Sequence, residues 1–133
     1  MPVALEADPV LVSMLLSGDA RLQRCAVEDP AHVTEGQKGP HVRLIQLALA
    51  ITDNADIAGA ESTSSSYGPS TTAAVLAYKT KRQIINRSYQ SKPDAIVGKM
   101  TIASLDAEVA ARERRNLAMG AGRPGADITT KRD

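Results

Sequence analysis

"YGPSTTAAVLAY" (67–78) and "VGKMTIASLDAE" (97–108) write one phrase twice. Gly68 answers to Gly98, Thr71 to Thr101, Ala74 to Ser104 and Val75 to Leu105. A helix leaves the N–H groups of its first turn without partners of its own. Gly as a cap accepts unusual dihedrals, and Pro69 at the first helical position has no N–H to leave unpaired. Thr three positions after the Gly is placed to bond back to the cap backbone, a weaker form of the capping box. The small and branched residues that follow let the helix lie close against a neighbour. The phrase therefore reads as a helix start joined to a core stripe.

The helix before it reads in the same way. In "GQKGPHVRLIQLALAI" (36–51), Gly39-Pro40 opens the helix and Val42, Ile45 and Leu49 form one stripe. Leu44, Leu47 and Ile51 form a second stripe on roughly the opposite side, since each residue turns the helix by about 100°. One stripe is expected to meet the following helices and the other an N-terminal extension, residues 1–35. In that extension Asp8-Pro9 is predicted to start a short helix with Val10, Leu11, Met14 and Leu15 on one face, stopped by Gly18. Asp19 is predicted to cap a second, bearing Leu22, Cys25 and Ala26. Residues 52–68 read as a polar loop. A helix over 69–82 should bury Ala74, Val75 and Tyr78. In the connection after it, Ile84-Ile85 and Ile96-Val97 each suit a β-bridge or a simple tether. A last helix runs from Lys99 to about Met119, with Ile102, Leu105 and Val109 inward and Glu108–Arg112 paired on the outer face. Residues 120–133 read as a disordered tail or a linker. The expected fold is all-α: a small bundle of three main helices over 36–119 with an added N-terminal helical pair.

Composition narrows the function. At 133 residues the chain suits one domain with appendages. There is no Phe or Trp, so the core must come from Ala, Val, Ile and Leu, with Tyr67, Tyr78 and Tyr89 as the aromatic residues. A net charge of +1 gives no general electrostatic grip on nucleic acid or an anionic membrane. No apolar run is long enough to span a bilayer. Glu6 and Asp8 stand where a signal peptide carries Lys or Arg, so synthesis in the cytoplasm without a general secretion signal is expected. The single cysteine, Cys25, excludes an intrachain disulfide.

Three blocks in order carry a resemblance: Gly36-x-x-Gly39-x-x-Val42-x-x-Ile45-Gln46-x-x-Leu49, Tyr67-Gly68-Pro69-x-Thr71-x-x-Ala74-Val75-x-x-Tyr78, and Asp94-Ala95-Ile96-Val97-Gly98-x-x-Thr101-x-x-x-Leu105. Together, over residues 36 to about 106, the chain resembles the peptidoglycan-binding-like domain family. It departs from that family's pattern in having Tyr78-Lys79 for Phe-Gln and Asp94-Ala95 for Asp-Gly. The resemblance implies a compact three-helix bundle, a non-catalytic wall-targeting role, and action in the periplasm or at the cell wall after specialised export. It implies peptidoglycan as partner, beside an attached C-terminal enzyme or effector domain. The signal-less start, the extension and the scarcity of aromatic residues also suit a protein-docking module that loads an effector onto a secretion apparatus.

A muropeptide offers sugar hydroxyls, amides and carboxylates, and helix N-termini are natural carboxylate sites. The starts at Gly39, Gly68 and Gly98 are flanked by Lys38, Arg43, Tyr67, Ser70 and Lys99, the first group of candidate ligand-binding residues. The segment "NRSYQSK" (86–92) adds Arg87, Tyr89 and Gln90 in a composition suited to polar recognition. His32, His41 and Cys25 match no zinc spacing, and no carboxylate pair or Cys–His pair has a recognisable catalytic context. No cofactor, metal or catalysis is expected.

Overall fold

The structure, a computed structural model, describes residues 10–85 and 92–121. Among these residues it is an all-α small bundle of six helices, three of them long, with no strand. The helices are α1 (Met14–Ser17), α2 (Ala20–Cys25), α3 (Pro40–Asp53), α4 (Gly59–Ser64), α5 (Pro69–Arg82) and α6 (Lys99–Ala121). A 3-10 turn spans Asp29–Ala31. α3 lies against α5 and α6, and α1 packs on both α3 and α6.

Each long helix begins where the sequence places it. Gly39 caps α3 at φ +140° and Gly36, three residues earlier, sits at φ +98°, a region that side chains strongly disfavour. Val42, Ile45 and Leu49 of α3, Val75 and Tyr78 of α5, and Ile102, Leu105 and Val109 of α6 are all buried in one core. Ala74 packs against that core only partly covered. Val97, from the connection before α6, makes an antiparallel bridge with Val33, so Ile96-Val97 is the pair that forms a bridge.

The N-terminal segment is stitched to the bundle by side chains rather than by a long helix. The carboxylate of Asp106 on α6 accepts the N–H groups of Val12 and Ser13 at 2.9 and 2.8 Å, and Glu113 accepts those of Met14 and Leu15. Gln23 of α2 accepts from Val10 and Leu11 and donates to Leu11 and Ser17. Ser13 caps α1, which corrects the expected start at Asp8-Pro9; those two residues lie outside the described ones. The chain over 10–13 is not helical, so inside and outside alternate: Leu11 is buried while Val10 and Val12 are exposed. Met14 also faces outward, and Leu16 takes the core position expected of it. α2 follows its sequence reading, with the Asp19 carboxylate accepting from Leu22 N and Leu22 and Cys25 buried.

Three further expectations are corrected. The second stripe of α3 is not a buried seam: Leu44 and Leu47 are partly covered and Ile51 is 42% exposed. α1 and α2, at four and six residues, are too short to sheathe a helix of 14. The stretch 52–68 is not all loop, because α3 runs to Asp53, turns at left-handed Asn54, and α4 follows. Glu108 and Arg112 do not pair. Arg82 comes across from α5 and offers Glu108 the two-pronged donor that a carboxylate accepts best, while Arg112 donates to the Thr52 carbonyl. The same Arg82 reaches Asp53 at 2.9 Å and lies 3.7 Å over the Tyr78 ring, tying the ends of α3, α5 and the middle of α6 together. No helix among the described residues is long and apolar enough to cross a membrane. The helix α6 extends past Met119, and residues 122–133 of the expected tail lie outside the described ones.

Candidate functional site

The start of α5 shows what its phrase binds. Glu61, projecting from α4, accepts hydrogen bonds from Gly68 N (3.1 Å), Ser70 N (2.8 Å), Thr71 N (2.9 Å) and the Thr71 hydroxyl (2.8 Å). Partial burial works against the charged form, yet the donated bonds of Ser70 and Thr71 outweigh it and hold the Glu61 pKa down at about 2. Gly68 has no positive φ, and a Cβ there would fall 2.7 Å from the Glu61 carboxyl carbon, so the carboxylate would have to shift. Thr71 does not bond back to the cap backbone as expected. Its hydroxyl instead links Glu61 to the buried Gln46 amide, which also donates to Ser66 O.

The start of α6 is open. A recess of about 260 Å³ lies there, lined by the apolar side chains of Ile84, Ile96 and Met100, by Gly98 and Thr101, and by the charged or titratable side chains of Lys79, Lys99, Asp94, Asp29 and His32. The N–H groups of Gly98, Lys99, Met100 and Thr101 have no acceptor, and the Thr101 hydroxyl, in a residue 2% exposed, has no hydrogen bond among the described residues. The His32 ring stands beside Gly98, 3.1 Å from where a Cβ would lie. Lys99 reaches Asp29 at 3.2 Å, and His32 Nε2 is 3.6 Å from the same carboxylate. Lys79, buried to 6% exposure, donates to Asp94 and to the Ile96 carbonyl. An ammonium has three donors, so one remains after those two bonds.

The sequence candidates separate. Lys99 stands at this recess. Lys38 and Arg43 share a shallow groove with Gly39, Pro40, Leu44 and two serines, at the start of α3. Tyr67 is corrected: it is buried to 2% exposure and its hydroxyl donates to the Ala95 carbonyl, so it belongs to the core. The Ser70 hydroxyl accepts from Ala58 N, and its N–H is taken by Glu61. Arg87, Tyr89 and Gln90 lie outside the described residues. Glu61, Asp29, His32, Lys79 and Thr101 were not singled out as ligand-site residues by sequence. The correspondence of Thr101 with Thr71 was the one signal pointing to any of them.

Other reactive side chains are occupied. Burial raises the Cys25 thiol to about 11 against the opposing charge of Arg21, and its sulfur contacts Val97 O at 3.4 Å. Among the described residues no three His, Cys, Asp or Glu side chains stand together as metal ligands. The recess therefore brings together backbone N–H groups, one hydroxyl, two ammonium groups each paired with a carboxylate (Lys79 with Asp94, Lys99 with Asp29) and apolar side chains. No family model, curated protein or solved structure matches the chain.

Proposed function

We propose that this chain is a non-catalytic binding module of the peptidoglycan-binding-like type, holding cell-wall muropeptide at the start of α6 and bringing an attached hydrolase or effector to the wall. The observation that supports this reading is the open recess, which brings together helix N–H groups with no acceptor among the described residues, the Thr101 hydroxyl and the apolar side chains of Ile84, Ile96 and Met100. Such a surface suits the stem peptide better than the sugars. A peptide brings carboxylates, amides and short apolar side chains, whereas a sugar face needs a flat ring. Tyr67 and Tyr78 are both committed to the core. Titrating the ¹⁵N-labelled chain with purified muropeptides should shift the amides of Gly98, Met100 and Thr101, and the chain should co-sediment with sacculi. Unmoved amides at millimolar muropeptide, with no co-sedimentation, would end the proposal.

A second reading, docking onto a secretion apparatus, draws on one different feature. Val10, Val12 and Met14 are exposed on a segment that α6 holds through Glu113, one turn from exposed Leu117. Met14→Asp should then abolish co-purification with a secretion-apparatus protein while leaving muropeptide binding intact. Retention of that partner by the variant would discard the docking reading.

A further inference from the structure

The repeated phrase builds the same set of donors twice, and the molecule fills one of them itself. At α5 the donors are Gly68 N, Ser70 N, Thr71 N and the Thr71 hydroxyl, and the occupant is the carboxylate of Glu61. The corresponding donors at α6 are Gly98 N, Met100 N, Thr101 N and the Thr101 hydroxyl, none of which has a partner among the described residues. Even the flanking group corresponds: Glu61 lies closest to Gly68, and the His32 ring lies closest to Gly98. His32 flanks the second cradle without accepting from its N–H groups.

We infer that the start of α6 binds a carboxylate group of a ligand through the donors that correspond to those holding Glu61 at the start of α5, with the His32 ring beside it. The inference rests on the recess being the ligand site proposed above, and not on the wall as the ligand's source. Three features go beyond a bare helix end. Thr101, 2% exposed, lines the recess, and its hydroxyl has no partner among the described residues, so an incoming acceptor meets a free donor there. Lys99 sits at the rim, and its present partner Asp29 is 71% exposed, so the ammonium can exchange that partner for an incoming anion. The volume of about 260 Å³ admits a carboxylate with one small residue attached, and Ile84, Ile96 and Met100 offer that residue an apolar wall. The ligand class is a short peptide or acylated amino acid that ends in a carboxylate.

N-acetylglycine and its neutral counterpart N-acetylglycinamide test this with the whole chain. The acid should give saturable ¹⁵N–¹H shifts at Gly98, Met100 and Thr101, and the amide should give none. Lys99→Gln should weaken the acid by about threefold, and Asp29→Asn, which releases Lys99, should tighten it by a similar factor. Glu61→Ala supplies an internal control, because it empties the first cradle and should add shifts at Gly68, Ser70 and Thr71. Thr101→Val should abolish binding, and Lys99→Gln, at an exposed position, carries the test if that core variant fails to fold. Equal shifts with the amide, no shift with either probe, or tighter binding of inorganic phosphate would each overturn the carboxylate assignment. Sacculi that bind while N-acetylglycine leaves these amides unmoved overturn this inference and leave the wall reading intact. The converse result ends the wall reading and leaves the inference standing.

Discussion

Removing Glu61 tests the physical core of the site. The perturbation is Glu61→Ala, within the short helix α4, where Ala is the better helix former, so any loss of stability comes from the emptied cradle and not from α4 itself. The depression of the Glu61 pKa from 4.5 to about 2 would be worth about 3 kcal/mol if none of it were screened. The carboxylate keeps contact with solvent, so roughly half survives, and loss of the acceptor for the fully buried Thr71 hydroxyl adds to it. The expected destabilisation is about 2 kcal/mol at pH 7, within the upper range of measured cap deletions. The sign of its pH dependence follows from a folded pKa below the unfolded one. The stabilisation is complete above about pH 4.5 and disappears as pH falls through about 2. Urea denaturation of both proteins at pH 7 and at a series of pH values down to 2.5 measures it. The gap between the midpoints should narrow steadily below pH 4.5. A variant as stable as the parent at pH 7, or a gap that does not narrow in acid, would refute the view that the phrase is a carboxylate cradle.

Three other outcomes follow from side chains already described. Lys79→Met should cost about 2 kcal/mol in urea denaturation, since it removes the buried ammonium that donates to Asp94 and to the Ile96 carbonyl, and Lys79→Gln should cost less because an amide still donates. Arg82→Lys keeps the charge but loses the fork to Glu108 and the stacking on Tyr78, so thermal melting should fall nearly as far as in Arg82→Ala. Cys25, buried and with its thiol raised to about 11, should react with a thiol reagent at pH 8 only at the rate of global unfolding, and fast labelling of the folded chain would contradict its placement.

The parts of this fold that local spacing dictates were legible in the sequence. Gly39, Gly68 and Gly98 launch the three long helices, and the stripes Val42–Ile45–Leu49, Val75–Tyr78 and Ile102–Leu105–Val109 meet in one core, because a helix start and a 3.6-residue period are written within a few consecutive residues. What depends on partners distant in the chain was not. Asp106 and Glu113 fix residues 12–15 from more than ninety positions away, so nothing near Asp8-Pro9 announces that residues 10–13 stay outside the helix. Arg82 captures Glu108 from another helix, and that contact outcompetes the neighbour a turn away that the helical pattern supplies. Tyr67 read as a candidate ligand-binding residue because it stands beside the Gly68 helix start, but its ring is buried in the core.

The repeated phrase shows where such legibility stops and why. Its spacing specifies a set of donors, which is a local property, and both copies keep that set: Gly, two residues on an N–H, and then Thr with both N–H and hydroxyl. The occupant is not local. At α5 it is supplied by Glu61 from a serine-rich stretch that reads as polar loop, reached through a left-handed turn at Ser65. At α6 the corresponding place is flanked by His32, brought there by the Val33–Val97 bridge, and the carboxylate is left for something else to provide. One copy therefore holds a side chain of the fold and the other has no acceptor among the described residues, and the difference between them lies in what the rest of the chain carries to each helix start.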